Sequence, residues 1–143
     1  MTTTSLTTTS TVDSLLGAYR SHVLGRSLPG LAALHITPGT REISIQPGGG
    51  TDLCTHLSNV LVWAHTMAEV TAEWWHTDSG SLHVSVTGRT AGGVRMKVYG
   101  GGAFTQTLGL VPLDQGQREG VSLDELYALA CLLRDGQHEQ EVA

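Results

Sequence analysis

The chain has 143 residues, 40% apolar and 15% charged, with a mean hydropathy near zero and a formal charge of −5. That is the length of one domain around one core, and the acidity argues against general binding to nucleic acid or to an anionic membrane. No apolar run approaches the ~20 residues of a membrane span, and the opening MTTTSLTTTSTVD lacks the basic start and apolar stretch of a signal peptide, so a cytoplasmic protein is expected.

Residues 1–10 are a Thr/Ser tract with little to bury and read as a disordered tail. A helix is predicted over 11–24. Val12, Leu15, Leu16, Tyr19 and Val23 recur at helical spacing, and Gly25 stands where a C-terminal cap belongs. LAALHITPGTREISIQ (31–46) reads as a hairpin turning at Pro38 and Gly39, which sets Leu34 opposite Ile43 and His35 opposite Glu42. Three glycines, Gly48 to Gly50, then lead into a central helix over 51–67. Its apolar stripe is Leu53, Leu57, Val60, Leu61 and Ala64, widened by Val62, Trp63 and Met67, and Thr51 is the expected N-cap.

A three-stranded meander follows in EVTAEWW, SLHVSVTG and GVRMKVYG. Pairing Trp74 with Val84, and Val84 with Met96, gathers the apolar residues of all three strands on one face. A slip by one residue would scatter them. YGGGAF (99–104) reads as a sharp exit from the sheet, and 104–113 as either a further strand or an irregular connection. In the last helix Ser122 and Glu125 form a capping box, Leu126, Leu129, Ala130 and Leu133 make the stripe, and Gly136 is the stop before a polar tail over 137–143. The expected domain, 11–136, is α+β: a hairpin and a meander of antiparallel strands packed against about three helices on one face.

The residue balance carries further information. Lys97 is the only lysine and Asn59 the only asparagine, and Ile and Phe are scarce. Residues with AT-rich codons are the missing ones, which points to a GC-rich genome such as an actinobacterium or one of its phages or plasmids. Residues 111–143 hold Arg118 and Arg134 against seven acids, so the acidity is concentrated there. Cys54 and Cys131 each fall among apolar residues of a helix and read as buried, reduced thiols.

Motifs of chemistry are sparse. Strand, glycine loop and helix is a phosphate-binding arrangement, but ISIQPGGGTDL has no lysine after its glycines, and Asp52 would repel an anion at the helix start. The bland reading is a flexible connection with Asp52 favourably placed on the helix dipole. The seven histidines form no H-x-x-x-H, there is no C-x-x-C and no G-x-S-x-G, so no catalytic, cofactor or metal residue is assigned.

The meander's other face is more informative. Its register collects Glu73, Trp75, His83, Arg95, Lys97 and Tyr99, with Trp75, His83 and Lys97 in one row and Glu73, Ser85 and Arg95 in the next. An indole on a solvated face needs a reason. It is a protein interface, for which Trp, Tyr and Arg are typical anchors, or a stacking platform for nucleic acid or a nucleotide, or it is covered by the first hairpin or by 104–113. The leading expectation is a non-catalytic interaction or regulatory module that self-associates through this face or through an open edge at the meander's last strand. The alternatives are a nucleic-acid-binding protein using the same residues, and an enzyme or ligand binder whose pocket, between sheet and central helix, joins His56 or His65 to Glu73.

Overall fold

The computed structural model describes the backbone of residues 2–142 and the side chains of residues 8–137. The element order is α1 (Thr2–Val23), β1 (Leu31–Thr37), β2 (Glu42–Pro47), α2 (Leu53–Ala64), β3 (Ala68–His76), β4 (Ser81–Arg89), β5 (Arg95–Ala103), a 3-10 turn (Phe104–Thr107), β6 (Arg118–Val121) and α3 (Leu123–Val142). The α+β class holds, and the helices pack on one face of a six-stranded sheet of order β1-β2-β5-β4-β3-β6. One part of the expected sheet does not hold. The sheet is mixed, because β2 and β5 pair in parallel, joined through α2 and the first two strands of the meander. This makes β5 an interior strand, so the open edge expected there does not exist. The edges are β1 and the four-residue β6.

Several local readings shift while the faces stay the same. In the first hairpin Leu34 pairs with Ile45 and His35 with Ser44, two residues from the expected register. The turn closes on Arg41, whose φ is 53° and whose N–H donates to the Pro38 carbonyl at 3.2 Å. Trp74 pairs with Val84 as expected, but Val84 faces Gly100 and Val86 faces Val98, four residues from the β4–β5 register read from sequence. That turn is built around Thr90 and Gly93. Thr90 Oγ1 accepts from Val94 N at 3.1 Å, and Gly93 has a φ of 82°. Side chains alternate with a period of two, so even shifts leave each residue on its own face.

YGGGAF does not leave the sheet but continues β5 to Ala103, and the segment 104–113 is a 3-10 turn and loop rather than a strand. The extra strand is β6, which pairs with β3. Helix α1 reaches back to Thr2, through the tract read as a disordered tail; nothing before Gly17 is a proline or glycine, so the helix nucleated by its apolar half propagates. Helix α3 runs through Gly136 to Val142, beyond the expected stop. Ser122 caps α3, its Oγ accepting from Glu125 N at 3.1 Å. Asp52, not Thr51, caps α2.

The core lies between the sheet and the helices. Ile43, Ile45, Leu82, Val84, Val86, Met96 and Val98 of the sheet meet Leu53, Leu57, Val60 and Trp63 of α2. Glycine lets α2 approach β5. A Cβ on Gly100 would stand 3.1 Å from Val60 Cγ2, and one on Gly102 would stand 3.0 Å from Leu53 Cβ. Helix α1 docks through Tyr19 and His22, whose rings stack on Trp63 at centroid distances of 6.5 and 6.4 Å. Of the two cysteines, Cys54 is buried as expected, whereas Cys131 is exposed on α3.

His22 is 1% exposed. The Thr66 hydroxyl donates to the Trp63 carbonyl at 2.7 Å, so its oxygen accepts the Nε2–H of His22, also at 2.7 Å. Nδ1 is then an acceptor buried without a partner. Protonating it would place a charge in the core beside Arg26, so burial first, and Arg26 second, hold the His22 pKa below its ordinary 6.5. The unfolded chain therefore binds this proton before the folded one does. Stability is full above pH ~6.5 and is lost as the pH falls from there toward the folded value. Urea melts at pH 7.5 and 5.5 are expected to show that loss in the wild type and a smaller one in His22→Gln, which keeps a donor for Thr66. His83, shifted in the same direction, supplies the remainder.

Candidate functional site

Alternation along the strands places the polar residues of the meander on the face that carries no helix. The register brings them together in an order different from the one read from sequence. Trp75 pairs with His83, and His83 with Gly101. Glu73, Ser85 and Tyr99 form the next row. Thr71, Thr87, Lys97, Ser44 and His35 form the third, across five strands. Lys97 is thus two rows from Trp75, and Arg95 lies opposite Glu42 rather than in a row with Glu73.

The aromatic groups are nonetheless contiguous. The Trp75 and His83 rings meet edge-on at 6.3 Å, and His83 and Tyr99 lie at 5.8 Å. Arg118 of β6 sets its guanidinium 4.5 Å from the centre of the Trp75 ring, within the range of a cation–π contact. Trp75 is half-buried, with His83 and Arg118 of the sheet against its ring. Arg118 was missed because REGV is too short to read as a strand. Its signal was the alternation of Arg118 and Gly120 with Glu119 and Val121 immediately before the cap of α3.

Opposite charges are interleaved here. Arg95 Nε is 3.5 Å from Glu42 Oε2, and Arg118 Nη1 is 3.8 Å from Glu73 Oε1. Lys97 has no such carboxylate partner among the described residues. The His83 pKa is held below its usual value, by burial first and then by the Lys97 and Arg118 charges, with Glu73 acting in the opposite sense. Between these groups the sheet surface is hollowed into a polar depression of about 360 Å³, lined by Lys97, Arg95, Thr87, Thr71, Ser85 and the two glutamates.

Compared with known proteins, the chain matches no family model, no curated protein and no solved structure.

Two other sequence candidates resolve differently. The Gly48–Gly50 loop is organised through its carbonyls: Asn59 Nδ2 donates to the Gly48 carbonyl at 2.8 Å, and the His56 ring bonds the Gly50 carbonyl. Asp52 already occupies the helix start, accepting from Thr55 N at 3.0 Å. Burial pushes its carboxyl pKa up, but hydrogen bonds from Gln137 and Thr55 outweigh that and hold it low. The loop is a connection with its own carboxylate cap. The imagined pocket joining His56 or His65 to Glu73 does not form, because α2 packs on the apolar face and Glu73 points from the other. Among the described residues no group of three or more His, Cys, Asp or Glu side chains could hold a metal, and no helix is long and apolar enough to cross a membrane.

Proposed function

We propose that this protein is a non-catalytic, cytoplasmic interaction module that self-associates through the helix-free face of its sheet. The observation that carries the reading is Trp75, a half-buried indole among Arg118, His83 and Tyr99 on a face with no helix above it. Aromatic anchors ringed by charge are what stable interfaces use. The face is also self-complementary in sign. Arg95, Lys97 and Arg118 alternate with Glu42 and Glu73, so a two-fold axis can set cations of one copy against carboxylates of the other. Six strands at about 4.8 Å spacing make a platform roughly 25 Å wide, the scale of an interface burying about 800 Å² per partner.

Native mass spectrometry with light scattering at ~50 μM tests this. The wild type is expected to be a dimer or other closed oligomer at low and high salt, and Trp75→Ala a folded monomer. A wild type that is monomeric throughout overturns the reading.

A second reading, binding of nucleic acid or a nucleotide, is favoured by one observation: Lys97, a cation without a carboxylate, stands two residues from Tyr99 on the same face. It predicts an affinity for single-stranded nucleic acid that falls steeply with salt and weakens in Lys97→Ala. Salt-insensitive self-association lost in Trp75→Ala favours the first reading instead.

A further inference from the structure

We propose that the depression around Lys97 is a binding site for a small oxyanion of the phosphate type. The inference does not rest on self-association.

Three observations carry it. The first is charge. Of the two cations that line the depression, Arg95 is engaged with Glu42 and Lys97 has no carboxylate partner among the described residues, while Glu73 of the lining is engaged by Arg118 from outside it. The two carboxylates do not close the site to anions, because each is opposed by its own guanidinium. The second is hydroxyl groups. Thr87 lies beside Lys97 on the neighbouring strand and Thr71 beside Thr87 on the next, so one row presents an ammonium and two hydroxyls on one face. The third is Ser85. It is only 4% exposed, lines the depression, and its hydroxyl makes no hydrogen bond to another described residue. That hydroxyl opens into the depression without a partner in the chain and is available to a group bound there. An oxyanion accepts from all of these groups at once, and it takes charge-assisted bonds from the ammonium.

The chemistry has two sources, free phosphate or the phosphate group of an ester. Tyr99 pairs with Ser85 of the lining, and the His83 ring lies beside Tyr99, so an ester carrying a ring has a surface to stack on.

The test is a titration of the full chain with sodium phosphate at constant ionic strength, followed by ¹H–¹⁵N NMR and repeated with adenosine monophosphate. Saturable shifts confined to Thr71, Ser85, Thr87, Lys97 and their neighbours are expected, with binding weakened about tenfold or more in Lys97→Ala, since a hydrogen bond to a charged group is worth at least a factor of ten. The spectrum of that variant also reports whether it is folded, and Thr87→Val, which keeps the shape, provides a second variant expected to weaken binding. Tighter binding of the nucleotide, with added shifts at Tyr99 and His83, identifies the ester source; equal affinity identifies free phosphate. Non-saturating shifts, an unchanged response in Lys97→Ala, or shifts centred on Gly48 to Gly50 overturn the proposal. The same titration on monomeric Trp75→Ala separates the two ideas. The face is uncovered in that monomer, so saturable shifts there keep the anion site whatever the wild-type dimer does, and no response there removes the anion site alone.

Discussion

Replacing Trp63 by alanine is expected to destabilise the protein by about 3–5 kcal/mol, the usual cost of emptying a buried aromatic site. Trp63 is 1% exposed and is among the largest fully buried side chains. It also joins two layers, because α1 rests on it through the stacked rings of Tyr19 and His22. Against a total stability of about 5–15 kcal/mol this is a fifth or more, and it should lower Tm by roughly 10 °C. Phenylalanine is expected to cost less than half as much. The indole N–H is buried without an acceptor, so the smaller ring leaves a cavity but also removes an unsatisfied donor. Denaturant melts of the two variants give the comparison, and amide exchange across α1 in Trp63→Ala should rise more than exchange across β4. A cost below about 1 kcal/mol for alanine would mean that α1 does not depend on this contact.

Trp63 illustrates what could be read beforehand. The stripe of α2 is a local, periodic signal, and Trp63 falls on its flank, so its burial followed from spacing alone. The two faces of the meander were legible for the same reason. Trp74, Val84 and Val86 alternate with Glu73, Trp75, His83 and Ser85, and alternation survives any even error of register. Register itself was less legible, because it depends on turns. Thr90 bonding Val94, and Arg41 in a left-handed conformation, each moved a hairpin without moving a face. This changed the candidate site materially. Lys97 was expected beside His83 and Trp75, and it stands beside Thr87 and Ser44 instead. The parallel pairing of β2 with β5 was not legible at all. It joins segments some fifty residues apart, and the hydrophobic pattern of each strand is satisfied whichever neighbour it takes. β6 was invisible because four residues carry too little pattern, and with it went Arg118, the cation over Trp75.

The glycines of β5 lead to the second large effect. Gly101→Ala is expected to destabilise by about 3 kcal/mol, the upper end of the usual cost of overpacking. A Cβ built on Gly101 would lie 2.1 Å from the Leu82 carbonyl oxygen and 3.3 Å from His83 Cα. Both are backbone atoms of β4, so no rotamer change relieves the contact. Strand β4 cannot retreat cheaply, since β3 holds its other edge and Leu82 and Val84 are locked in the core. Gly39→Ala, in the first hairpin's turn, is the control: its Cβ meets nothing within 4 Å, and a change within about 0.5 kcal/mol is expected. The substitution also has a functional reading. Gly101 pairs with His83, the ring between Trp75 and Tyr99. Any movement of β4 that accommodates a methyl group shifts His83 out of the aromatic row. Gly101→Ala should therefore weaken self-association beyond what its stability loss explains, measured at a temperature where the variant remains folded. If the variant is destabilised but still dimerises at wild-type affinity, His83 is not part of the interface, and the anchor reduces to Trp75 and Arg118.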